Sequence, residues 1–129
     1  MNLTLAPGIL DEVIAHAKAS YPREGCGLLT PTRFIPVTNI APAATEFEMD
    51  PAELIAALRD IRNAGEQLTG IYHSHPHGPA RPSKTDIEQA YYPEAAHVIV
   101  SLAELERPQV AAFRIANGET LEIELHAIV

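Results

Sequence analysis

Three prolines and a glycine fall between Pro76 and Pro82, and no regular element runs through such a stretch. Proline lacks the N–H that a central strand or a helix interior needs, and it fixes its own φ. The apolar run Gly70-Ile71-Tyr72-His73-Ser74-His75 therefore reads as a strand that must stop at Pro76. The next element cannot begin before Ser83, so the chain turns back on itself within one short loop. The reversal lets the helix that follows fold back toward the end of the buried strand.

The other elements follow from periodicity. Leu3 and Leu5 form a short apolar start. Pro7 suits a first helical turn, and Ile9, Leu10, Val13, Ile14 and Ala17 recur at helical spacing until Pro22. Gly25–Leu29 reads as a short buried strand, and 33–40 as a second one, which Pro36 assigns to a sheet edge. Asp50-Pro51-Ala52-Glu53 carries an N-cap aspartate, a proline at the first helical position and a glutamate three residues after the cap. Leu54, Ile55, Leu58 and Ile61 give that helix its apolar stripe, and Gly65 is its expected stop. Residues 83–90 read as helix and 96–102 as a buried strand. The chain closes with a hairpin, 110–116 and 119–125, turning at Asn117-Gly118. In its last strand Leu121, Ile123 and Leu125 alternate with Glu122 and Glu124. The expectation is a single α+β domain over residues 1–129, an α/β sandwich with a mixed sheet of about six strands and about three helices.

Composition excludes several classes of function. The formal net charge of -8 argues against a nucleic-acid binder, which needs clustered Lys and Arg against phosphate. No apolar run approaches the length of a membrane span. The N-terminal Met1-Asn2-Leu3-Thr4-Leu5 lacks the basic and apolar regions of a signal peptide. The single cysteine, Cys26, has no partner in the chain and fits a cytoplasmic protein. No feature reads out an oligomeric state.

Of the six histidines, three fall within His73–His77. On a strand, residues i and i+2 share a face, so His73 and His75 are able to converge on one ion. Zinc takes imidazole nitrogen and carboxylate oxygen at about 2.0–2.1 Å, and a catalytic site has three protein ligands and one open position. Asp86 is the nearest downstream carboxylate that the Pro76–Pro82 loop returns to the strand end. Each residue also has a plainer reading. His-x-His pairs occur by chance on surface strands. Ser83-x-x-Asp86 after Pro82 has the pattern of a capping box, with Ser83 as N-cap and Asp86 at the third helical position. The two readings are compatible, because a cap would fix Asp86 where its carboxylate meets the histidines.

His73-x-His75, seven residues, Ser83, two residues and Asp86, with the Ser74, Pro76 and Pro82 flanks, resembles the signature of the JAMM (MPN-plus) zinc metallopeptidases. The upstream Pro22-Arg23-Glu24-Gly25-Cys26-Gly27-Leu28-Leu29 is similar to the family's glutamate-bearing strand. Met49-Asp50-Pro51 and the stretch from Tyr91-Tyr92-Pro93 to Leu102 are similar to bacterial members. The resemblance implies an MPN-like fold and a zinc-dependent hydrolase of peptide or isopeptide bonds. It implies that His73, His75 and Asp86 hold one Zn²⁺, that Glu24 is the general base, and that Ser83 stabilises the oxyanion. Without the resemblance Glu24 reads as an exposed acid beside Arg23. Compact bacterial relatives are associated with small ubiquitin-like sulfur-carrier proteins ending in Gly-Gly. The implied partner is thus such a protein or a peptide, its flexible tail entering an extended groove. The short connection at 29–33 leaves no room for the insertions with which larger relatives grip ubiquitin chains.

Two other readings belong to different classes. A non-catalytic MPN-type binding module would usually lack one or more ligands, whereas this chain keeps them. His73-x-His75-x-His77 suggests a histidine-triad nucleotide hydrolase, but Pro76 interrupts the strand such a triad requires, and no phosphate-cradling glycine loop is present. His77 is therefore expected at the rim of the cleft. Cys26, between two glycines on a core strand, is expected to be an inert small hydrophobe. His16, His97 and His126 read as satisfied or exposed histidines, and Tyr91 and Tyr92 as packing or cleft-lining residues.

Overall fold

The computed structural model describes residues 2–128. Ten elements follow in the order β1 Asn2–Leu5, α1 Ile9–Ser20, β2 Cys26–Leu29, β3 Phe34–Val37, α2 Pro51–Asn63, β4 Gly70–His75, α3 Lys84–Glu88, β5 Ala96–Ser101, β6 Gln109–Ala116 and β7 Glu119–Ala127. The strands form one seven-stranded sheet, ordered β1-β7-β6-β5-β4-β2-β3. The pairs β1–β7 and β4–β5 are parallel and the rest antiparallel, so the sheet is mixed as expected. The seventh strand is the apolar start: Leu3 and Leu5 are buried, and β1 pairs in parallel with β7 from Asn2↔Glu124 to Leu5↔Ala127. Strand β3 with Pro36 lies at the sheet edge.

Alternation along β4 decides where the site lies. Tyr72 packs into the cluster beneath α1, with Leu5, Val13, Ala17 and Val98. Ile71 faces the other way, onto Ala57 and Ile61 of α2. His73 and His75 share the Ile71 face. A third cluster, Ile99, Phe113 and Ile115, is covered by Ile87 and Ala90 around α3.

Helix ends show why the boundaries fall where they do. Asp50 accepts from the N–H groups of Ala52 and Glu53. The Glu53 carboxylate, however, does not turn back on the cap; it accepts the Thr38 N–H at 3.0 Å and ties α2 to the end of β3. At the other end the Glu66 N–H donates to Ile61 O and the Gly65 N–H to Arg62 O. Gly65, at φ 73°, thus closes a Schellman motif. Helix α1 begins at Ile9 rather than at Pro7, because Gly8 at φ 84° turns the chain first. Helix α3 has only five residues, shorter than the expected 83–90. Leu121 shares the face of Ile123 and Leu125 in the alternation but is 63% exposed. The hairpin carries it past the α1 cluster, whose β7 contacts are Ile123 and Leu125. Among the described residues no helix is long and apolar enough to cross a membrane.

Candidate metal centre

Strand β4 delivers the two histidines, and the loop after it delivers the carboxylate. Ser83 is the N-cap of α3 and forms the expected capping box. Its Oγ accepts the Asp86 N–H at 3.1 Å, and Asp86 Oδ2 accepts the Ser83 N–H at 2.8 Å. That reciprocal pair aims the carboxylate back at the strand. Asp86 Oδ2 lies 3.1 Å from His73 Nε2 and 3.0 Å from His75 Nε2. The two Nε2 atoms are 3.0 Å apart.

Three atoms that each carry lone pairs repel at this distance unless protons or a cation lie among them. Zinc bonds of about 2.0–2.1 Å at tetrahedral angles would set such atoms about 3.3–3.4 Å apart, so the triangle fits a zinc ion with a slight expansion. The remaining ring nitrogens are arranged differently. His75 Nδ1 donates to Pro79 O at 2.8 Å, which leaves the Nε2 lone pair facing Asp86 in the neutral ring. His73 Nδ1 is buried and has no partner among the described residues. Its ring plane is set by Phe47, stacked at 4.5 Å between centroids and 21° between planes.

Glu24 enters from the segment just before β2. Cys26 pairs with His73, and the ladder continues through Ser74 N–H to Gly25 O at 3.0 Å and Gly25 N–H to Ser74 Oγ at 2.8 Å. Two residues back from Cys26, Glu24 therefore falls opposite His75. One carboxylate oxygen of Glu24 and a ring nitrogen from each of His73 and His75 lie within 4.8 Å of one another. Glu24 is buried, not the exposed acid its own surroundings in sequence suggest, and its Oε1 has no partner among the described residues.

The electrostatics divide these acids. Burial pushes Glu24 up to about 7; His75 pulls it down, and Asp86 and Glu46 push it further up. Burial also opposes ionisation of Asp86, but hydrogen bonds from His73 and His75 outweigh it and hold this carboxyl well below the usual range. Burial lowers His73. For His75 the Asp86 and Pro79 hydrogen bonds overcome burial and raise it. Burial pushes the Cys26 thiol up to about 12. Its Sγ donates to Val37 O at 3.3 Å, the inert role expected.

A cleft of about 400 Å³ opens onto His73 and Asp86 between Phe47 and Met49 on one side and Gln89, Tyr91 and Tyr92 on the other. A larger hollow of about 850 Å³, lined by Thr4, Gln67 and Arg114, contains none of the four clustered residues. The chemistry therefore selects the smaller cleft. The hollow meets it at Tyr91 and Tyr92, which line both.

The other histidines take several roles. His16 Nδ1 is 3.2 Å from the Tyr72 hydroxyl, and His126 pairs with Glu124 on the surface. His77 sits edge-on to Tyr21. His97 is neither satisfied nor exposed. It is buried in the cleft floor, its Nε2 has no partner among the described residues, and burial pushes it down to about 4. The sequence signal for the cleft wall is faint: Phe47 is a single aromatic in a loop of small and acidic residues, and Asn39, which holds that loop, is one unremarked polar residue.

The mixed sheet is that of the MPN-fold class of proteins, and at one strand end two strand histidines, a helix-start carboxylate and a buried glutamate meet in a cluster that could hold a metal ion. The family model described as prokaryotic homologs of the JAB domain matches residues 7–116, and the chain belongs to that family. It is 32% identical over 133 residues to the CysO-cysteine peptidase of Mycobacterium tuberculosis, covering 98% of this chain and 91% of that one. It is 36% identical over 112 residues to the desampylase of Haloferax volcanii, covering 78% and 81%. Among solved structures, a protein of Desulfitobacterium hafniense superposes with a TM-score of 0.87 at 35% identity, covering 99% and 93%. A JAB1/MPN domain protein from Archaeoglobus fulgidus shares the fold, with a TM-score of 0.64 at 21% identity and coverage of 96% and 99%.

Proposed function

We propose that this protein is a zinc-dependent metallopeptidase that cleaves a peptide or isopeptide bond at the C-terminal tail of a small ubiquitin-like or sulfur-carrier protein. The observation that carries the reading is the triangle of His73 Nε2, His75 Nε2 and Asp86 Oδ2, with edges of 3.0–3.1 Å, beside the buried Glu24. His73, His75 and Asp86 would hold one Zn²⁺. Bound there, zinc supplies Lewis acidity that makes a water proton acidic near neutral pH.

Glu24 takes that proton and returns it to the leaving amine. Without an ion in the site, burial raises this carboxyl to about 7; the charge of a bound Zn²⁺ would draw it down toward the carboxylate form that accepts the proton. Ser83 uses its oxygen lone pair for the cap and keeps its hydroxyl hydrogen for the developing oxyanion. Tyr91 and Tyr92 frame the cleft through which an extended tail reaches the bond.

The substrate class is supported by a relative named a CysO-cysteine peptidase and by another named a desampylase. A cytoplasmic location fits the unpaired cysteine. The test is hydrolysis of fusions that join a small ubiquitin-like domain to a reporter through a C-terminal Gly-Gly. Zinc-loaded protein cleaves after the tail, and chelation stops it. Folded, zinc-loaded protein that leaves every such fusion intact contradicts the substrate assignment.

A further inference from the structure

The four hydrogen-bonding positions of one side-chain amide are all spent on main-chain groups at the edge of the cleft. Asn39 Nδ2 donates to Glu24 O at 2.9 Å and to Glu46 O at 3.0 Å. Asn39 Oδ1 accepts the Ala41 N–H at 2.9 Å and the Glu48 N–H at 3.0 Å. Only one orientation of the amide satisfies two carbonyls and two N–H groups together, so the contacts define which end is which.

The partners are not a random set. Glu24 is the buried carboxylate beside the histidine pair. Ala41, Glu46 and Glu48 belong to the loop that forms one wall of the cleft, and that loop carries Phe47, stacked on His73. Arg23, next to Glu24, donates to Ala41 O and makes a second tie. The backbone of Glu24 and the cleft wall therefore meet at one residue.

We propose that Asn39 is a positioning residue, which holds the Glu24 backbone and the 41–48 cleft wall as one rigid unit, so that the proton-shuttling carboxylate and the surface receiving the substrate keep a fixed relation. The proposal deepens the peptidase reading and rests on it for its kinetic consequences, but the clamp itself is measurable without catalysis. Loss of such a tie leaves Glu24 free to drift, and misplacement on the scale of 1 Å costs about a hundredfold in rate.

The test compares zinc-loaded wild type with Asn39→Ala and Asn39→Asp. Asn39→Ala removes all four bonds: the Ala41 and Glu48 amides exchange faster with solvent, kcat on the Gly-Gly fusions falls by about tenfold to a hundredfold, and KM rises as the wall loosens. Asn39→Asp keeps the two acceptor bonds but turns an acceptor toward Glu24 O and Glu46 O. The Glu24 backbone carbonyl ¹³C resonance then shifts, and kcat falls with KM less affected. Should Asn39→Ala prove too unstable to purify, Asn39→Asp carries the test alone. Unchanged Ala41 and Glu48 exchange in Asn39→Ala, an unmoved Glu24 carbonyl resonance in Asn39→Asp, or wild-type kcat in either variant overturns the proposal. If the wild type cleaves no fusion, it is the peptidase reading that fails, and the exchange and carbonyl measurements still decide the clamp.

Discussion

Glu24 illustrates how much a residue's chemistry depends on what folds over it. In sequence it is one of 17 acidic residues and follows an arginine. In the structure it is buried, opposite His75, and raised to about 7 by burial above all. Glu24→Gln preserves shape and removes the proposed proton acceptor. It should retain zinc, measured by metal analysis, and lose about 10²–10⁴-fold in kcat. The raised pKa also has a sign for stability. In metal-free protein the folded state holds the Glu24 proton more tightly than the unfolded state. Stability therefore falls as pH rises from about 4.5 to about 7. Glu24→Gln lacks this penalty, so metal-free variant should melt above metal-free wild type at pH 8 and level with it at pH 4, by differential scanning calorimetry. His73 and His75 were legible as a pair because strand alternation is local. Asn39 and His97 were not: the Glu24 carbonyl that Asn39 reaches lies in a separate segment, and nothing in a sequence window shows that His97 is buried.

At the scale of elements, the parts written into short windows are the parts that could be read. The Asp50 cap, the Ser83–Asp86 box and the Asn117-Gly118 turn each depend on three or four neighbouring residues. All three form, and the turn has φ of 54° and 76°. Glu53 shows the limit: its position matched a capping box, yet Thr38, distant in sequence, offered the N–H it took. Helix α3 is too short to be stable by itself, so its cap and its packing on Phe113 and Ile115 hold Asp86 in place. Ser83→Ala should cost about 1 kcal/mol at this helix start, weaken zinc binding, and lower kcat through the lost hydroxyl. Ser83→Thr restores the cap and the hydroxyl together, and should recover both affinity, by competition with a chelator, and turnover.

For the whole molecule, β1 is the element least visible beforehand. Its four residues become a strand only because β7, at the other end of the chain, offers an edge, and this pairing makes the sheet seven-stranded rather than six. Such non-local contacts leave no periodic trace. The fold also ties the proposed metal site to global stability, because the side chains proposed as ligands, on β4 and α3, meet only in the folded state. Zinc at a thousand times its dissociation constant should therefore stabilise the wild type by about 4 kcal/mol, read as a rise in Tm that His73→Ala lacks. The central claim, that His73, His75 and Asp86 form one zinc centre, is tested most directly by calorimetric titration of zinc into metal-free wild type and His75→Ala. One site per chain is expected in the wild type, and its loss in folded His75→Ala. No stoichiometric binding by the wild type, or undiminished binding by the variant, would contradict it.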